Sequence, residues 1–221
     1  MISYICIRNC GMGALSYSVL KKSLFRRLRR YAVTMGESGE DGYTISVSTD
    51  ESLTDDRYRI AFSLHGAVIL AANDCAVHAA VGRLLLESFF DGRGMFVPPE
   101  AGKIIDFTPA KPIRGIYLAA HFYNFYHVAP LVEVFEVIED LAMRGCNSIL
   151  VWFDMHHFTG MDDPAAQELT ERLRTAVRYA NQIGISGSLS MLGNEAFSSS
   201  PEQLRAEWRA VGKYRQEPDD H

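Results

Sequence analysis

His121, Asn124, Asp154, His156 and His157 are the residues whose types and spacing could do chemistry, because each closely follows an apolar run. The run from Ile113 to Ala120 gives way at His121 to a cluster of hydrogen-bonding and aromatic groups. The run from Asn147 to Phe153 gives way to Asp154, His156 and His157. A third, Ile185 to Leu192, gives way to Gly193, Asn194 and Glu195. Cleaving a glycosidic bond by acid and base takes two carboxylates across the bond, or one with help from the substrate. Asp154 and Glu195 are the acids in position to supply it. Asp154 with His156 and His157 could also hold zinc or iron, since imidazole and carboxylate suit both. The D-x-H-H spacing alone does not make a metal site, and neither a metal nor a cofactor is expected. Hydrogen bonds to sugar hydroxyls, or a plain polar rim, account for the same residues. Trp152, Phe122, Tyr123, Phe125, Tyr126 and Phe158 would suit stacking on a pyranose ring, although half of them should be ordinary core.

These groups must be positioned by the elements that precede them. Ile113 to Ala120 is nearly continuous in its apolarity, as in a strand covered on both faces of a parallel sheet. Pro130 opens a helix with Leu131, Val134, Phe135, Ile138, Leu141 and Ala142 at helical spacing and Glu133, Glu136, Glu139 and Asp140 facing elsewhere. Gly145 ends it. Asp163 and Pro164 form an N-cap and N1 pair for the next helix, which closes at Gly184. Ser200, Pro201 and Gln203 open a third helix with capping-box chemistry. Strand, helix and parallel strand in repetition is the grammar of a β/α barrel, whose active sites lie at the C-terminal strand ends.

The 221 residues are 48% hydrophobic and 22% charged, as in an ordinary globular protein. A net charge of −5 gives no reason to expect nucleic acid or an anionic membrane as partner. The cysteines at 6, 10, 75 and 146 lack paired metal-site spacing and read as reduced and structural. No apolar run reaches membrane-spanning length and the N-terminus lacks a signal-like pattern, so a cytoplasmic location is the default expectation.

In the first half, Ile2 to Ile7 reads as a strand. A helix to about Tyr31 follows, with Lys21, Lys22, Arg26, Arg27, Arg29 and Arg30 along it, read as a solvated basic face. Gly11, Gly13 and Ser16 echo a dinucleotide-binding turn, but the third glycine is missing and the strands that follow look antiparallel. Tyr43, Ile45 and Val47, and then Tyr58, Ile60 and Phe62, alternate with polar partners. His65-Gly66 turns a hairpin into Ala67 to Ala71, and Asp74 caps the next helix. The Pro-rich stretch from Pro98 to Pro112 marks a boundary. The division is therefore an α+β domain over 1–110 and the start of a β/α barrel over 111–221.

Two segments carry a resemblance. Asp56 to Glu87, with its Tyr-Arg strand, Ile- and Ala-rich hairpin strand and helix ending in Leu-Leu, resembles the accessory domain ahead of the catalytic barrel in β-N-acetylhexosaminidases of glycoside hydrolase family 20 and in α-glucuronidases. Pro112 to Leu118, PIRGIYL, is similar to the entry into their first barrel strand. The resemblance implies an α+β accessory domain followed by an incomplete β/α (TIM) barrel of about three units. It also implies that Arg114 reaches sugar hydroxyls. The chain departs where that family has an Asp and an Arg-His-Phe motif, because here Ala119, Ala120, His121 and Phe122 stand. The family's catalytic Asp-Glu pair follows the fourth barrel strand, whereas three strands are legible here. Asn194-Glu195 resembles the Asn-Glu pair of many barrel glycosidases. The expectation is a carbohydrate-active protein, a fragment without its acid pair, with Glu195 and Asp154 as candidate catalytic residues. Arg114, His121, Asn124, His156, His157, Trp152 and Asn194 would bind a carbohydrate substrate. The open barrel edge could self-associate. A non-catalytic carbohydrate-binding or scaffold protein that keeps the barrel rim is the alternative.

Overall fold

The computed structural model describes residues 2–36, 42–191 and 196–201. In chain order the first half comprises β1 (Tyr4–Asn9), α1 (Ala14–Leu28), β2 (Thr34–Met35), β3 (Tyr43–Thr49), β4 (Tyr58–Phe62), β5 (Gly66–Ala71), α2 (Asp74–Glu87), β6 (Phe89–Phe90), β7 (Phe96–Val97) and β8 (Ile104–Phe107). The second half comprises β9 (Gly115–Leu118), α3 (Phe125–Val128), α4 (Leu131–Met143), β10 (Ser148–Trp152), a 3-10 turn (Met155–His157), α5 (Pro164–Gln182) and β11 (Ser186–Ser190). No described helix is long and apolar enough to cross a membrane.

The first sheet has the order β2-β1-β3-β5-β4-β8. Alternation along β3 and β4 buries Tyr43, Ile45, Val47, Tyr58, Ile60 and Phe62, with their polar neighbours on the other face. The hairpin forms as expected, β4 antiparallel to β5. The expectation of antiparallel strands after α1 is corrected, because β1 pairs parallel with β3 and β3 pairs parallel with β5. α1 is the crossover that returns the chain to the same end of the sheet for β1 and β3, and for β3 and β5 the return is made by β4, which runs antiparallel on the far side of β5. The parallel crossover does not make a nucleotide site. The Gly13 N–H donates to the Asp74 carboxylate at 3.2 Å, and a Cβ at Gly13 would come within 2.7 Å of that group. The protein's own carboxylate thus stands where a phosphate would have to sit. Asp74 is also not the cap of α2. Asn73, in extended conformation, accepts from Ala76 N at 2.9 Å instead.

The second sheet, β11-β10-β9, is wholly parallel. Leu118, Ile149 and Val151 on one face join Val134, Ile138 and Ala142 of α4 and Leu169, Leu173, Ala176 and Ala180 of α5 in a single buried cluster. Asp163 caps α5 through Ala165 N at 3.0 Å, with Pro164 beside it. Coverage of β9 on both faces is corrected. Both crossover helices lie on one face, and Tyr117 on the other remains 41% exposed.

α4 is held between the two sheets' helices, and part of its charged side is drawn into that junction. Glu139 is fully buried. Its carboxylate accepts from Ser23 Oγ at 2.6 Å and from Tyr179 Oη at 2.5 Å, and lies 3.1 Å from Arg26 Nη1. Arg26 and Arg27 both reach Asp140. Arg26 and Arg27 are therefore contact residues and depart from the expected solvated face, while Lys21, Lys22, Arg29 and Arg30 are exposed as that reading expects. Close approach at this junction depends on Gly82 of α2, where a Cβ would stand 1.8 Å from the Met143 carbonyl oxygen.

Candidate functional site

Parallel pairing brings the C-terminal ends of β9, β10 and β11 to one edge, and the chain after β9 is shaped there by two unusual residues. Phe122 and Tyr123 take left-handed backbone angles, with φ of 53° and 56°. Bulky residues avoid that region, at a cost on the order of 1–2 kcal/mol each. The loop is held from behind. Arg172 of α5 donates from Nε to the Tyr126 carbonyl at 2.9 Å and from Nη2 to the Ala129 carbonyl at 2.5 Å. Tyr123 N donates to His127 Nδ1 at 3.2 Å. Burial, then the charge of Arg172, pushes the His127 imidazole below its ordinary value and suits it to accept.

Asp154 is the centre of the arrangement. It is 4% exposed, and its Oδ2 lies 3.7 Å from His121 Nδ1 and 3.7 Å from His157 Nε2. Oδ2 accepts no hydrogen bond among the described residues. His121 Nε2 lies 2.5 Å from Tyr117 Oη. Burial, with the Asp154 charge adding to it, raises the Tyr117 phenol above its ordinary value. Trp152 meets the Tyr117 ring edge-on at 6.2 Å between centroids and lies 6.3 Å from His121, and its Nε1 is buried without a partner among the described residues. Phe122 sets its ring edge-on to His121 at 4.4 Å and to His157 at 5.5 Å, and His156 packs 4.2 Å from His157. Asn124 caps the short α3 without a side-chain bond, its Oδ1 buried and unbonded among the described residues.

Of the residues singled out by sequence, His121, Trp152, Asp154, His156 and His157 come together, with Asn124 on the same loop. Asn194 and Glu195 lie outside the described residues. Arg114 is not brought to this edge. It precedes β9 and so sits at the opposite end of the sheet. There its Nη2 donates to Asp56 Oδ2 at 2.6 Å, its Nε to the Gly145 carbonyl at 2.7 Å and its Nη1 to the Lys111 carbonyl at 2.8 Å. The expectation that Arg114 faces a sugar is corrected on that geometry, since its fork of donors is already occupied by the protein. Tyr117 was missed. Its signal was available, because it lies four residues before His121 and strand alternation sets it opposite the helix-packed Leu118.

Among the described residues no group of three His, Cys, Asp or Glu side chains could hold a metal ion. Hollows of about 290 Å³ and about 390 Å³ exist elsewhere, beside Tyr31 and Phe90 and beside Arg59 and Asp106, and none of the clustered residues lines either. The chemistry therefore rests on one buried carboxylate, its two imidazoles, a phenol and an indole, set beside an open sheet face.

No known family profile matches the sequence, and no curated protein matches it. Solved structures do match. The glycoside hydrolase family 20 exo-β-N-acetylglucosaminidase of Vibrio harveyi, in complex with N-acetylglucosamine, superimposes with a TM-score of 0.59 at 17% identity, over 86% of this chain and 33% of its own. The N-acetyl-β-hexosaminidase of Streptomyces plicatus gives 0.58 at 18% identity, over 86% and 42%. The Flavobacterium johnsoniae chitobiase gives 0.58 at 17%, over 85% and 31%. The chain thus has the mixed α/β fold of these enzymes' structures and spans less than half the length of each.

Proposed function

We propose that this is a carbohydrate-active protein built on the plan of the family 20 glycoside hydrolases, with an α+β accessory domain over 1–110 and the opening three β/α units of a barrel over 111–221. It binds a hexose or amino sugar at the C-terminal ends of β9 and β10. The observation that carries the reading is Asp154. A buried carboxylate oxygen without a hydrogen bond is costly, and a ligand hydroxyl would relieve that cost. Trp152 and Phe122 supply the apolar faces that pyranose rings stack on, and His121, bonded to Tyr117, lines the same edge. The fold likeness, to enzymes of which one was solved holding N-acetylglucosamine, supports the same ligand class.

Calorimetry with N-acetylglucosamine and simple methyl glycosides tests this. Wild type should bind with a Kd of about millimolar, and Asp154→Ala should weaken binding about tenfold or more. No heat across the panel, or an unaffected Asp154→Ala variant, would remove the reading.

Hydrolysis is a separate matter. Glu195 is the acid we would pair with Asp154, and turnover of nitrophenyl glycosides abolished by Glu195→Gln would establish it. A non-catalytic sugar-binding role is the second reading. It is favoured by one observation, that Asp154 is the sole carboxylate of the described strand-end cluster, where cleavage uses two at a fixed separation. Sugar affinity without turnover would decide for it.

A further inference from the structure

The open face of the second sheet carries a group that no sugar-site expectation used. Register sets Tyr117, Leu150 and Ser188 side by side, with Trp152 and Ser190 as the next pair toward the strand ends. Leu118, Ile149 and Val151 point to the helices and are buried. Tyr117 is thus presented beside Trp152 on the face away from the helices, and its hydroxyl is fixed by the 2.5 Å contact with His121 Nε2.

The direction of that hydrogen bond follows from what stands behind the ring. The Asp154 carboxylate, 3.7 Å from His121 Nδ1, favours the proton on the nitrogen that faces it. The tautomer is assigned from this electrostatic preference. In that tautomer Nε2 is an acceptor, and the phenol must donate to it. With its one proton committed, the Tyr117 oxygen can only accept. A ligand lying against Trp152 must therefore bring it a donor.

We infer that Tyr117 is the specificity-determining contact of the sugar site, an acceptor-only phenol, oriented by His121 and Asp154, that selects ligands offering a hydroxyl or amide N–H beside a ring stacked on Trp152. This rests on the proposed sugar-binding function and adds which polarity the site selects. An ether, a fluorine or a carbonyl at that position meets lone pair with lone pair and is rejected. A hydroxyl or an acetamido N–H is taken.

The test uses the full chain and calorimetry with N-acetylglucosamine, its 3-, 4- and 6-deoxyfluoro analogues and its N-methylacetamido analogue. Wild type should bind one of the analogues about five- to tenfold more weakly than the parent, the loss of one hydrogen bond. Tyr117→Phe should bind the parent about five- to tenfold more weakly and no longer distinguish it from that analogue, as a closed double-substitution cycle requires. Tyr117→Phe adds no atoms at a part-exposed position, so its melting temperature should match wild type. If it melts lower, the analogue series on wild type decides alone, and equal binding of every analogue overturns the inference. Parent binding that Trp152→Ala weakens while Tyr117→Phe leaves it unchanged also overturns it and leaves the sugar-binding function standing. No binding of the parent by wild type overturns both.

Discussion

Removing the Glu139 carboxylate should cost more stability than any exposed charge in the chain. It joins three helices: Ser23 and Arg26 from α1 and Tyr179 from α5 all meet it on α4, at 2.6 Å, 3.1 Å and 2.5 Å. Its side chain is 0% exposed and that of Arg26 is 16% exposed, so water cannot replace the lost acceptor. Glu139→Ala leaves one guanidinium and two hydroxyls facing an empty space. Breaking a buried pair in this way typically costs about 3–5 kcal/mol. Glu139→Gln keeps the volume and one acceptor oxygen and should cost about 2 kcal/mol. The control is Glu136→Ala, which removes the same charge type from the same arginine but from a side chain 42% exposed, and should cost less than about 1 kcal/mol. Lys22, 3.6 Å away and 54% exposed, adds little. Urea unfolding of the four proteins reads the order directly, with unchanged slopes showing that the transition is the same. A Glu139→Ala protein within about 1 kcal/mol of wild type at the same slope would refute the argument and mean that α1 and α4 are held by apolar contact alone.

His78 should make the fold acid-sensitive in a defined window. Burial pushes its imidazole down to about 4, against a 3.1 Å hydrogen bond to Ser16. The unfolded chain takes up the proton near 6.5 and the native state does not, so stability is full above that value and falls as pH drops toward 4, by about 3 kcal/mol. Denaturation at pH 7 and pH 4.5 should show most of that loss in wild type and none in His78→Asn; a flat wild-type profile would contradict the reasoning. Arg114→Ala should cost about 2–3 kcal/mol of stability, from its bonds to Asp56 and to the Gly145 and Lys111 carbonyls, and should leave sugar affinity unchanged. A fully stable variant that loses sugar binding would reverse the assignment.

Much of the fold could be read from local pattern, because burial at period two or 3.6 writes itself into the chain. The alternation at Tyr43, Ile45 and Val47 became a buried face, and Asp163-Pro164 became the start of α5. Strand direction could not be read so, since alternation is the same in parallel and antiparallel ladders, and only the paths of α1 and β4 decide it. The pairing of Arg26 and Arg27 with α4 was hidden for another reason. Arg26 and Asp140 stand 114 residues apart in sequence, and nothing local tells a helix whether the opposite charge across from it belongs to water's counter-ions or to another helix. A charge at helical spacing is compatible with both, and Arg26, Arg27, Glu139 and Asp140 took the second course while Lys21, Lys22, Arg29 and Arg30 took the first.

The same distinction separates the two site residues that sequence treated differently. An arginine at the entry of a strand and a tyrosine three residues later differ by about 10 Å along the chain, at ~3.3 Å per residue. Residue type argued for Arg114, whose fork of donors suits paired hydroxyls. Position argues against it, because a parallel strand delivers only its C-terminal end to the edge where His121 and Asp154 lie, and an arginine at the other end finds acceptors within reach at Asp56 and Gly145. Tyr117 has the weaker chemical claim by type and the stronger by place. It sits on the open face, next to Trp152 and bonded to His121. Chemistry at a strand end is decided first by which end and which face the chain presents there, and only then by what the side chain could do.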